Sequence, residues 1–136
     1  MLNYLNPKTK SENDVVEKRF TVFEQTTCKS ILKAFSDDDT SKILHASMGV
    51  RHTIQEILEK LDIPHTSGYR KINILIEEGF LIKAGYVIAS SGRKVNLYKT
   101  LFNNVIIDFD KKVTVYVQFP QDVLKNNAVL QMVNAG

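Results

Sequence analysis

The stretch from Thr53 to Leu81, TIQEILEKLDIPHTSGYRKINILIEEGFL, constrains the fold more than any other part of the chain. Ile54, Ile57, Leu58 and Leu61 fall at i, i+3, i+4 and i+7, the period of a single apolar helix face. Thr53 is placed to cap this helix, and Glu56 three residues on completes a capping box. Asp62-Ile63-Pro64 then makes a tight turn, because proline lacks an amide donor and its fixed φ suits a first helical turn. A second helix over about 65–78 would bury Gly68, Ile72, Leu75 and Ile76 at i, i+4, i+7 and i+8. Gly79 is its expected C-terminal cap, with Phe80 and Leu81 packing back. That leaves His65, Thr66, Ser67, Tyr69, Arg70, Lys71 and Asn73 on the start and outer side of the second helix. A merely solvated face is usually built from Glu and Lys. This one presents hydrogen-bonding tips of several shapes, which suits a ligand larger than a small molecule.

The flanking segments divide by period. Residues 1–18 are polar with little periodicity and read as a mobile tail. Arg19 to Phe23 reads equally as a short strand or a helix start. Ile31, Leu32 and Phe35 have helical spacing within Thr27–Phe35. Ser36 heads a helix-start signature with Asp37, Asp38 and Asp39 at the positive end of the dipole, a reading that outweighs a metal site. That helix continues through Ser47, closes at Gly49 and is read as the first of a three-helix core. After Gly79 the period shortens to that of strands. Leu81–Ala89 and Val95–Leu101 read as a hairpin, with Arg93 and Lys94 at the exit of its turn. Val105–Phe109 and Val113–Phe119 read as a second hairpin ended by Pro120. Gln121–Val133 has the pattern of a short helix, with Val123, Leu124, Leu130 and Val133 apolar.

At 136 residues and 43% hydrophobic content the chain suits one domain with tails. No apolar run approaches the ~20 residues that span a bilayer, and the first residues lack the apolar centre of a signal peptide. A cytoplasmic protein with no membrane partner is expected. The single Cys28 excludes an intramolecular disulfide and a multi-thiolate metal site. Burial is the default reading for that thiol, and redox sensing the alternative. His45, His52 and His65 are too scattered for a metal signature, and neither a metal nor another cofactor is expected. No Ser/His/Asp order, carboxylate pair or phosphate-cradling glycine loop points to an enzyme. Net charge is +3, but residues 65–100 alone hold six cations (Arg70, Lys71, Lys83, Arg93, Lys94, Lys99) against Glu77 and Glu78, a balance of +4. A local basic surface is what a polyanion requires.

The segment LDIPHTSGYRKINILIEEGFLI closely resembles the recognition-helix region of ArsR/MarR-type winged helix-turn-helix regulators and their archaeal relatives. The residues carrying the likeness are Tyr69-Arg70, Leu75, Gly79, Phe80 and Leu81, and ILKAFSDDDTSKILHAS resembles the first two helices of that family. The resemblance covers roughly residues 28–101. It implies an α+β fold: a three-helix core with a β-hairpin wing, here followed by an additional C-terminal hairpin. Residues 19–102 would form the DNA-binding domain, and 103–136 an extension for packing or dimerisation. It also implies sequence-specific binding of double-stranded DNA by a transcriptional regulator. The helix at about 65–78 would enter the major groove, and the wing at about 89–95 would lie on backbone or minor groove. The chemistry agrees, since residues at the start of a helix in the major groove reach base edges. Arg70 can fork onto guanine or phosphate, Lys71 suits a phosphate, and the helix start at Thr53 would offer amides to phosphate oxygens. The metal-sensing members carry a cysteine pair on the helix before the turn; IQEILEKL has none.

Plainer readings stand beside these. Tyr69 can pack its ring on a neighbouring helix, Arg70 can pair with Glu59 or Asp62 at the surface, and His65 can be an ordinary exposed residue. Gly68 is read as permitting close approach of two helices. A homodimer is expected, because one helix and one wing supply few phosphate contacts. The apolar face Val113, Val115, Val117 and Phe119, the last helix, or the Thr27–Phe35 helix would meet its symmetry mate. In the plainer version the second hairpin extends the chain's own sheet. A winged-helix module that binds protein within the transcription apparatus is the alternative function.

Overall fold

In the computed structural model, which describes residues 19–110, 112–124 and 133–135, the chain is α+β. Its elements run β1 (Arg19–Val22), α1 (Gln25–Ser36), α2 (Asp38–Ala46), α3 (Ile54–Leu61) and α4 (His65–Glu77), then β2 (Leu81–Ile88), β3 (Lys94–Thr100), β4 (Asn104–Asp108), β5 (Thr114–Gln118), α5 (Gln121–Leu124) and β6 (Val133–Ala135). The tail expected over residues 1–18 lies outside the described residues. Among those described, no helix is long and apolar enough to cross a membrane.

The central pair forms for the reasons written in its residues. Thr53 accepts from the Glu56 amide at 3.1 Å while Glu56 accepts from the Thr53 amide at 2.9 Å, closing the capping box. These reciprocal bonds occupy the Thr53 and Glu56 amides, two of those at the start of α3 that were expected to face a phosphate. At the far end Asp62 adopts φ 54°, and the Ile63 amide reaches the Leu58 carbonyl at 3.0 Å. This is a left-handed cap of the kind glycine usually supplies, and Asp tolerates it better than most residues. α4 ends the same way at Gly79 (φ +80°), where the Phe80 amide bonds the Leu75 carbonyl at 3.0 Å. Between the two helices Gly68 leaves room for Leu58 and Ile63. A Cβ there would meet the Leu58 side chain at 2.4 Å, which bears out close approach as its reason.

The core draws on more than the three expected helices, since α1 contributes Ile31 and Ala34 and the short α5 contributes Val123. The start of α2 also moves by one residue from expectation. Ser36 ends α1, its hydroxyl donating to the Lys33 carbonyl, and Asp37 is the cap. The carboxylate wins because one of its oxygens accepts from both the amide and the hydroxyl of Thr40, at 2.9 and 2.8 Å.

Two antiparallel sheets complete the fold. β2 and β3 form a hairpin whose base is pinned to the helices. Thr100 donates its hydroxyl to the Leu44 carbonyl at 2.7 Å, and His52 and Tyr98 exchange backbone bonds at 3.0 and 2.7 Å. The second sheet has the order β4-β5-β1-β6, so the Arg19–Val22 segment resolves as a strand and takes a central position. The second hairpin pairs with β1 and not with β2 or β3. Strand β1, expected with the helical domain of residues 19–102, thus sits in the sheet of the segment after residue 102.

Phe80, Phe102, Phe119 and Phe20 form a continuous chain of rings with centroids 5.5–5.7 Å apart. They tie the end of α4 to the second sheet through one core. Val115, Val117 and Phe119 are fully buried in that core, so these three residues of the face expected to be open for dimerisation are already covered; only Val113 is exposed. The helix expected over Gln121–Val133 is described only as Gln121–Leu124. Leu130 lies outside the described residues. Val133 belongs to β6 opposite Val22, where the open edge of β1 outweighs a weak helical pattern.

Candidate nucleic-acid interface

α4 presents one polar side and one buried side. Gly68, Ile72 and Leu75 face the core. Thr66, Tyr69, Arg70 and Asn73, at i, i+3, i+4 and i+7, are exposed together, with His65 beside them and Ser67 half-buried. Tyr69 is 42% exposed, its ring centroid 6.0 Å from that of His65, so these two rings gather at the helix start. The Ser67 hydroxyl approaches the Pro64 carbonyl only at 3.5 Å. No side chain caps the start of α4, and its first turn holds no acid, so the positive end of its dipole is not offset by a carboxylate there.

Lys71 goes elsewhere. Its side chain is only 19% exposed, and its ammonium lies 3.1 Å from Asp37 and 3.2 Å from Asp39. Those hydrogen bonds raise the Lys71 pKa. Asp37 is pushed down to about 2, chiefly by the amide and hydroxyl of Thr40 and then by Lys71. Lys71 therefore joins α4 to the start of α2, and two carboxylates already hold the ammonium that was expected at a phosphate. The reason is its position, three residues after Gly68 and four before Leu75, on the flank of the buried face.

Arg70 takes neither partner weighed for it. Among the described residues, Arg70, Lys83, Arg93 and Lys94 have no carboxylate within ion-pair distance. Lys99, by contrast, is paired with Asp122, which lowers that carboxyl's pKa. Four of the six cations of residues 65–100 thus have no acid partner among the described residues, and they lie on α4 and on the β2–β3 hairpin. Arg93 leaves the turn, whose Ala89 amide bonds the Arg93 carbonyl at 2.8 Å. Lys94 lies 4.2 Å from the Tyr86 ring centroid, a cation–π contact that keeps its charge at the surface. Gly85 (φ +102°) forms a bulge between Lys83 and Tyr86 that increases the twist of the ribbon.

Two cations escaped the sequence reading. Lys33 lines a cleft of about 220 Å³ between α1 and α4 together with Arg70. Arg51 holds the bulge by donating to the Ala84 carbonyl at 3.3 Å. Neither carries a local signal, because each meets its neighbours only across the fold. Among the described residues no cluster of His, Cys, Asp and Glu could hold a metal ion. Cys28 is half-buried, its thiol donating to the Val22 carbonyl at 3.1 Å, and burial raises its pKa. Comparison with protein-family models, curated proteins and solved structures found no match to this chain.

Proposed function

We propose that this chain is a winged helix-turn-helix transcriptional regulator that binds double-stranded DNA sequence-specifically. In this reading α4 enters the major groove and the β2–β3 hairpin lies on backbone or minor groove. The observation that carries it is the set of exposed, varied hydrogen-bonding tips on α4 beside Arg70, with Arg93 and Lys94 on the adjoining hairpin and, among the described residues, no acid paired to any of the three cations. His65, Thr66, Ser67, Tyr69, Arg70 and Asn73 then face base edges and nearby phosphates, while Arg93 and Lys94 supply general affinity.

Selection of bound duplexes from a random pool tests the reading, with one enriched motif expected. Binding should weaken with salt, and the four unpaired cations limit their own contribution to a log–log slope of about −3.6 per chain. Recovery of no motif, together with binding indifferent to salt, would defeat it. One observation favours a protein-binding module instead. Tyr86, Val87 and Ile88 are consecutive and exposed on β2, an apolar ribbon that DNA backbone does not require.

A further inference from the structure

β4 is the outer strand of its sheet and, among the described residues, is paired along one edge. It pairs with β5 over five consecutive residues, from Asn104↔Gln118 to Asp108↔Thr114, without a register shift. Alternate amides and carbonyls on its other edge point away from the sheet. Among the described residues no strand pairs with that edge. Exposed edges are ordinarily protected by proline, lysine or a bulge. β4 has none of these, and Val105-Ile106-Ile107 run through its middle. The opposite edge, β6, is three residues long and offers far less to pair with.

We infer that β4 pairs antiparallel with β4 of a second copy of this chain, about a two-fold axis at Ile106. The strand is complementary to itself in that register. Asn104 falls opposite Asp108 of the second copy, an amide donor against a carboxylate, and no like charges meet. Val105 falls opposite Ile107; both pack on the core, so the buried stripe continues across the axis. On the other sheet face, the row Thr21–Tyr116–Ile106 meets its own copy at Ile106. Moving the axis to Ile107 or to Val105 sets Asp108 against Ile106 or Phe102. A half-step turns the apolar stripe onto the wrong face. The axis at Ile106 alone avoids both. A contact of five residues a side spans about 17 Å and is smaller than a standard interface, so dissociation in the micromolar range is expected.

This pairing does not rest on the DNA reading, and its test uses no DNA. Sedimentation of the full-length protein across the micromolar range should show a monomer–dimer equilibrium. Ile106→Lys, which sets two ammonium groups across the axis, should weaken it at least about tenfold, or ~1.4 kcal/mol. Cysteine variants in a Cys28→Ser background report the register. Ile106→Cys should cross-link to itself on mild oxidation, because directly paired residues lie within disulfide reach. Asn104→Cys should not, being roughly 13 Å from its mate along the strands, yet it should cross-link to Asp108→Cys when the two are mixed. A chain that stays monomeric overturns the proposal. So does a dimer that Ile106→Lys leaves intact, or an Asn104→Cys chain that cross-links to itself.

Discussion

Asp37 holds α2 at its start and α4 at its flank, and acid reports both bonds. Its carboxyl titrates at about 2 in the folded chain against an ordinary 3.8, so the unfolded chain binds this proton more readily. The stability it contributes is complete above the ordinary value and is lost as pH falls through the folded one. Thermal unfolding followed between about pH 4 and pH 2 should therefore show a falling midpoint. Asp37→Asn should flatten that slope while keeping the cap, because asparagine also accepts from the Thr40 amide. A slope unchanged in the variant would assign the acid sensitivity elsewhere. Gly68 sets two effects against each other. Alanine gains ~1 kcal/mol of helix propensity, but its Cβ would sit 2.4 Å from Leu58, which is itself buried. Overpacking costs about 1–3 kcal/mol, so Gly68→Ala should lose roughly 1 kcal/mol net in denaturant titrations. The role of Gly68 was legible because its helix period points at the core. The position of Lys71 was misread as outward, although Gly68 and Leu75 flank it at i−3 and i+4 and set it at the edge of the buried face. Its partners were not legible, because Asp37 and Asp39 lie more than thirty residues away in sequence.

At the scale of elements, local chemistry was readable and long-range pairing was not. The capping box at Thr53, the glycine cap at Gly79 and both hairpins depend on residues a few positions apart, and each formed where its signal lay. Strand β6 and the strand identity of β1 depend on each other and on β5 across most of the chain, so neither carries a local pattern strong enough to decide it. The same distinction shapes the proposed division of labour between α4 and the β2–β3 hairpin. Arg70 projects from a helix fixed on one side by Gly68, Ile72 and Leu75, which gives its guanidinium a defined position. Arg93 follows a tip beyond the pinned base of the ribbon, where shape is set by the turn alone. Arg70→Ala should cost ~1–3 kcal/mol on a selected DNA site and less on random DNA. Arg93→Ala should weaken both alike. Lys71→Ala should leave the salt slope unchanged and instead lower the unfolding midpoint, since its charge is already spent on Asp37 and Asp39. Competition titrations at two salt concentrations separate the three variants. Equal losses on both DNAs at Arg70 would remove it from base readout.

The whole molecule is bound together by the sheet that the helices do not contain. The resemblance placed a boundary after residue 102, and a minimal winged helix would end there. The ring chain crosses that boundary, because Phe102 packs on Phe119, and Phe119 on Phe20. Removing everything after Phe102 deletes Val115, Val117 and Phe119, all fully buried, each worth about 1.5–3 kcal/mol. It also strips the β5 partner from β1 and opens Phe20, Val22 and Phe102 to water. A small domain has only about 5–15 kcal/mol of stability in all, so three such losses together rival the total. A chain ending at Phe102 should therefore lack a cooperative thermal transition and bind hydrophobic dyes, while the full-length protein unfolds in one step by both circular dichroism and tyrosine fluorescence. If the shortened chain melts cooperatively near the full-length midpoint, the helices and first hairpin fold alone and the second sheet is an accessory. The phenylalanine chain argues for the opposite outcome: Phe80, just after the proposed DNA-reading helix, rests on Phe102, and Phe102 rests on Phe119, which the truncation removes.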